Sequence, residues 1–171
     1  MTVAVKGRVV KGRGQGKVVV ENLADPIAAH LGAEPYFGTL NILLNRPLPL
    51  RPETAMLCDG VRAFWPVTAM GMPMLALRWT RCPYHALELV AAESLRERFG
   101  WTDGQKVELA FAARDVGTLS FRARLAWTLL WRMHPTGVYD RHMPAVHHAN
   151  PRAVQLTLQP IPPGGPEDAE P

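Results

Sequence analysis

The chain is patterned as short apolar runs separated by turn-forming residues. Residues 3–10, Val-Ala-Val-Lys-Gly-Arg-Val-Val, and 17–21, Lys-Val-Val-Val-Glu, are rich in β-branched side chains. A glycine-rich turn joins them, and the pattern predicts two strands. Asp25-Pro26 can cap a short helix from Ile27 to Leu31, which Gly32 would end. Thr39 to Leu44 reads as a strand, and the proline-rich stretch 45–55 as a connector. Residues 61–79 suit two or three short apolar strands broken by Pro66, Gly71 and Pro73. Leu87 to Ala91 is strand-like, and Ala92 to Phe99 suits a short helix closed by Gly100. A Thr102-Asp103-Gly104-Gln105 turn then leads into a strand over 106–112. Short strands and short helices without a βαβ rhythm predict a mainly β fold, a small barrel rather than a doubly wound sheet.

Beyond Ala112 the pattern changes. Phe121, Leu125, Leu129 and Met133 recur at four-residue spacing within 120–133, beside Trp127, Leu130 and Trp131. This predicts an amphipathic helix packed on the core, with Arg122, Arg124 and Arg132 on its polar side. The expected organisation is a barrel over 1–112, an extension over 113–157 and a disordered tail over 158–171.

A length of 171 residues with 47% hydrophobic residues is enough for one domain with a buried core. The 16 prolines and 14 glycines fit a turn-rich fold. Cys58 and Cys82 are too few for a disulfide framework and form no CxxC pair. No apolar run nears the roughly 20 residues of a membrane span. A cytoplasmic protein acting away from membranes is the expectation. Of 19 cations, 15 are Arg, yet the net charge is only +4. That balance gives weak support to a nucleic-acid partner, and none is expected.

Three segments could carry chemistry. In Gly12-Arg13-Gly14-Gln15-Gly16-Lys17, glycines on alternate residues let the backbone turn sharply and present N–H groups to a ligand. The spacing is not that of a P-loop, and Val18 stands where a metal-binding hydroxyl would be needed. A predicted strand after it argues against a dinucleotide-binding turn. Next, Pro35 and Gly38 frame a turn that launches a strand, on which Thr39 and Asn41 share a face. Their neutral oxygens suit Mg2+ that already carries phosphates. The third segment is Thr80 to Glu88, where a carboxylate ending an irregular loop could bind a hydroxyl or act as base.

Together the three resemble the archaeal CTP-dependent riboflavin kinases, which are small cradle-loop β-barrels. The resemblance spans roughly residues 6–112. It rests on Gly7-x-Val9-x-x-Gly12-x-Gly14-x-Gly16, on Leu31-Gly32-x-x-Pro35-Tyr36-x-Gly38-Thr39-Leu40-Asn41, and on Glu88-Leu89-Val90-Ala91 running into Leu95-Arg96-Glu97-x-Phe99. It implies a kinase that transfers a phosphoryl group from CTP to riboflavin, giving FMN, or to a related small alcohol. Gly12, Arg13, Gly14, Gln15, Gly16 and Lys17 would bind the nucleotide. Thr39 and Asn41 would hold Mg2+, and Thr80, Tyr84 and Glu88 would face the acceptor, with Glu88 catalytic.

The chain departs from that family at Arg13 and Gln15, where an apolar residue and Glu are usual, and around residues 78–84. A non-catalytic nucleotide or flavin sensor, or a DNA-binding barrel, are the alternative readings of the same fold. His134, Tyr139, Asp140, His142, His147 and His148 offer metal-ligand chemistry, but their irregular spacing favours a loop of ordinary histidines. The extension could instead fold over the barrel mouth and supply acceptor contacts through Tyr139 or His142.

Overall fold

The structure, a computed structural model, describes residues 1–131 apart from 13, 15 and 81. It is mainly β. Seven strands run in the order of the chain: β1 (Thr2–Val10), β2 (Leu40–Leu44), β3 (Leu57–Cys58), β4 (Arg62–Ala69), β5 (Met72–Trp79), β6 (Ala86–Val90) and β7 (Lys106–Ala112). In space the order is β3-β4-β5-β6-β2-β1-β7, and a further β4–β7 pairing closes six of them into an antiparallel barrel. β3 stays outside the closure, as a short addition to the edge of β4.

Alternation along each strand divides the two faces. Val5, Val9, Ile42, Leu87, Leu109 and Phe111 fill the barrel interior. A second cluster, Phe64, Leu75, Leu77 and Val90 with Val20 and Ile27, lies on the outer face. Two helices cover it: α1 (Gly16–Asn22) and α2 (Ala24–Leu31). A third helix, α3 (Leu95–Phe99), starts where the Ser94 side chain accepts from the Glu97 N–H and ends at Gly100.

Residues 17–21 therefore form a helix, where a strand was predicted. Valine loses only about 0.5 kcal/mol relative to alanine in a helix. Burying one valine side chain returns about 1.5–3 kcal/mol. Helical spacing sends Val20 fully into the outer cluster and sets Lys17 against Glu21 at 3.6 Å. Tertiary burial decides the segment. The unit is still not a dinucleotide-binding fold, because β1 and β2 pair antiparallel across the two helices.

Other differences are local. Asp25 lies in the first turn of α2, which begins at Ala24 without a side-chain cap; Gly32 ends it with φ +70°. Pro66 and Pro73 sit inside eight-residue strands and break neither. Each pairs with one neighbouring strand only, so its missing N–H costs no second ladder bond. The break between β4 and β5 is the two-residue turn Met70-Gly71, with φ +51° and +78°.

The helix predicted after residue 120 is present as α4 (Phe121–Trp131). Its Phe121, Leu125 and Leu129 stripe is exposed, however, and does not face the barrel. Among the described side chains, Trp127 makes a contact: its Nε1–H donates to Nδ1 of the fully buried His85. Met133, the histidine constellation, Tyr139, Asp140 and the 158–171 tail lie outside the described residues. No helix among the described residues is long and apolar enough to cross a membrane.

Candidate active site

The candidate site lies on the outer barrel face, at the edge of the cluster that α1 and α2 cover. Strand register builds it. Asn41 of β2 is the cross-strand partner of Glu88 of β6, and Glu88 is in turn opposite Leu77 of β5. Thr39, one residue before β2, donates its hydroxyl to Glu88 Oε2 at 2.6 Å. A carbonyl-anchored turn aims this strand start: Tyr36 N–H donates to Ala91 O just past β6. Thr39, Asn41 and Glu88 thus converge although 49 residues separate the first and last.

The glycine loop lies directly on these side chains. A Cβ placed on Gly12 would come within 1.9 Å of Asn41 Nδ2, and one on Gly16 within 2.0 Å of Thr39 Oγ1. Only glycine allows that approach. Gly14 between them has φ +73°. Arg13 and Gln15 lie outside the described residues. The loop, Lys17, Tyr36 and the start of α3 at Ser94 and Arg96 enclose a cleft of about 370 Å³.

Burial pushes the Glu88 carboxyl above the usual range. The Thr39 hydrogen bond and the Arg62 guanidinium act against that. Arg62 in turn donates to Asp59 Oδ2 at 2.8 Å, which fixes its position on the same face. Burial also acts on Asp59, but N–H donors from Arg62 and Val61, with the Arg62 charge, hold its carboxyl below the ordinary value.

The donor set fits a hard divalent cation. Thr39 Oγ1 keeps its lone pairs while donating to Glu88, Asn41 contributes an amide oxygen, and a carboxylate stands beside both. Thr39 and Asn41 also line the cleft beside the glycine loop, where phosphate oxygens would complete such a shell.

Not every candidate joins this group. Thr80 turns to the β4 side, its N–H and hydroxyl both donating to Val61 O, at 2.6 and 2.9 Å. The Tyr84 carbonyl accepts from Leu48 N–H and from Arg78 Nη2. Neither residue lines the cleft beneath the glycine loop, and Glu88 reaches its edge only through its bond to Thr39. Conversely, Tyr36, Ser94, Arg96 and Arg62 were not among the predicted site residues. Tyr36 and Arg96 fall inside the blocks that carry the family resemblance and Ser94 lies between two of them, which was the available signal. Arg62 had none, because only strand register brings β4 near Glu88.

The chain is similar to curated archaeal proteins named riboflavin kinase. It is 30% identical over 118 residues to that of Methanocella arvoryzae, covering 61% of this chain and 55% of that protein. Identity is 30% over 127 residues with that of Pyrobaculum islandicum, covering 64% and 60%. With that of Sulfurisphaera tokodaii it is 28% over 126 residues, covering 61% and 92%. The chain thus spans little more than half the length of the first two. No protein-family model matches it.

Proposed function

We propose that this chain is a riboflavin kinase, using CTP and Mg2+ to phosphorylate riboflavin, or a closely related small alcohol, to the phosphate monoester. The observation that carries the reading is the Thr39–Asn41–Glu88 group packed under Gly12 and Gly16. Its chemistry matches phosphoryl transfer, and the similar curated proteins are named for that reaction on riboflavin.

The loop from Gly12 to Lys17 would hold the triphosphate through backbone N–H groups, with Lys17 as a charge partner. Thr39 and Asn41 would hold Mg2+, which when bound neutralises phosphate charge and aligns the donor. Glu88 would take the proton from the acceptor hydroxyl as its oxygen bonds to the γ-phosphorus. The bond from that phosphorus to the β–γ bridging oxygen breaks, and a nucleoside diphosphate leaves. A half-buried carboxylate with raised proton affinity suits that role. The sensor reading rests only on the altered loop residues Arg13 and Gln15, and the DNA-binding reading only on the modest net charge of +4. Neither is favoured over the kinase.

The test is incubation of the protein with riboflavin, Mg2+ and each nucleoside triphosphate, with FMN measured by chromatography. FMN formation with CTP is expected. Absence of FMN with every nucleotide would sink the riboflavin assignment, and a better rate with ATP than with CTP would correct the donor.

A further inference from the structure

His85 is fully buried, lies three residues before Glu88, and has no part in the chemistry above. It ends the segment 82–85 that leads into β6. Several bonds pin this segment from the barrel side. His85 O accepts from Leu44 N–H at 2.7 Å, Tyr84 O accepts from Leu48 N–H at 2.8 Å, and Arg78 Nη2 donates to Tyr84 O at 2.6 Å. On its other side the segment meets α4. Trp127 Nε1–H donates to His85 Nδ1 at 2.9 Å, and the rings meet edge to face at 5.7 Å between centroids and 70°.

The indole nitrogen is a donor only, so Nδ1 must be unprotonated wherever this bond exists. A buried edge-to-face pair with a hydrogen bond fixes ring orientation more tightly than apolar packing does. Among the described side chains of α4, Phe121, Leu125 and Leu129 are exposed, and Trp127 is the one that hydrogen-bonds to the barrel.

We propose that Trp127 is a positioning residue. By bonding His85 it fixes residues 82–86 ahead of Glu88 and so couples α4 to the affinity for the phosphoryl acceptor. This rests on the reading of Glu88, into which the segment leads, as the acceptor-side base of a kinase. Nucleotide binding, on the far side of Asn41, is not coupled to it.

The test uses the full chain with Trp127→Phe, which keeps a ring and removes the N–H, and His85→Leu, which removes the acceptor. His85→Asn restores an acceptor oxygen. For Trp127→Phe and His85→Leu, riboflavin Kd, read by flavin fluorescence, should rise roughly fivefold, the weight of one hydrogen bond. KM for riboflavin should rise with it, while kcat and KM for the nucleotide stay within about twofold. His85→Asn should return riboflavin affinity to the wild-type level. Amide exchange at Tyr84, His85 and Ala86 should quicken in the first two variants and not in His85→Asn. Unchanged affinity, or unchanged exchange, with only a lower Tm would overturn the proposal and leave Trp127 a packing residue. If the wild-type protein makes no FMN, the kinase reading fails, and the exchange measurement still decides whether Trp127 orders the segment.

Discussion

Thr39 and Glu88 are joined by a 2.6 Å hydrogen bond from hydroxyl to carboxylate, at the point where β2 begins beside β6. The bond keeps a half-buried carboxylate oriented and leaves the threonine oxygen against the glycine loop. Removing either partner therefore affects different steps. Glu88→Gln should lower kcat by about 10²–10³-fold, the usual weight of a general base, with nucleotide affinity within a few-fold. Thr39→Val should lower both, and Thr39→Ser should recover most of the loss. Steady-state kinetics with calorimetry of nucleotide binding would check this. A Glu88→Gln enzyme as fast as wild type would remove Glu88 from the proton transfer.

The glycine loop offers a sharper contrast. Gly16→Ala puts a methyl carbon within 2.0 Å of Thr39 Oγ1, and Gly12→Ala puts one within 1.9 Å of Asn41 Nδ2. Either the loop or the site side chains must move. Gly32→Ala meets no atom within 4 Å but keeps φ at +70°. It should cost about 1–2 kcal/mol of stability and leave nucleotide binding alone. The first two should weaken nucleotide binding at least tenfold, by calorimetry. Equal affinities in all three would mean the loop does not hold the phosphates.

Much of this was legible in the sequence, for reasons that differ by element. The strands β1, β2, β6 and β7 and the αL ends at Gly32 and Gly100 follow from local pattern and turn chemistry. So did the pairing of Thr39 with Asn41, which needs only the two-residue period of a strand. Residues 17–21 misled because their β-branched side chains favour strands locally, and only the outer cluster around Val20 decides otherwise. Glu88 could be named but its partners could not, since strand register across 49 positions is a tertiary property. Arg62 and the His85–Trp127 pair belong to the same kind. Nothing local distinguishes them from ordinary surface and core residues.

The β4–β5 turn carries avoidable strain. Met70 has φ +51° and is 78% exposed, so no packing accounts for methionine there. A two-residue hairpin turn with positive φ at both positions favours Asn-Gly. Met70→Asn should raise stability by about 0.5–1 kcal/mol without altering activity. Urea denaturation would detect it as a higher midpoint at constant slope. A lower midpoint would show that Met70 contributes a contact outweighing its backbone strain.

Asp59 gives a pH dependence of defined sign. Its Oδ1 accepts from the Val61 and Arg62 N–H groups, and its Oδ2 from Arg62 Nη1 at 2.8 Å. Burial works to raise its pKa, but these donors and the Arg62 charge hold it below the ordinary 3.8. The folded value lies under the unfolded one, so the ionised carboxylate contributes stability above the unfolded value. That contribution is lost as pH falls from about 4 through the folded value. Asp59→Asn should cost about 1–2 kcal/mol at pH 7, because the charge-assisted bonds weaken. The difference between variant and wild type should shrink when urea denaturation is repeated near pH 3. A gap that stays constant between the two pH values would show that the Asp59 charge does not stabilise the turn that presents Arg62 to Glu88.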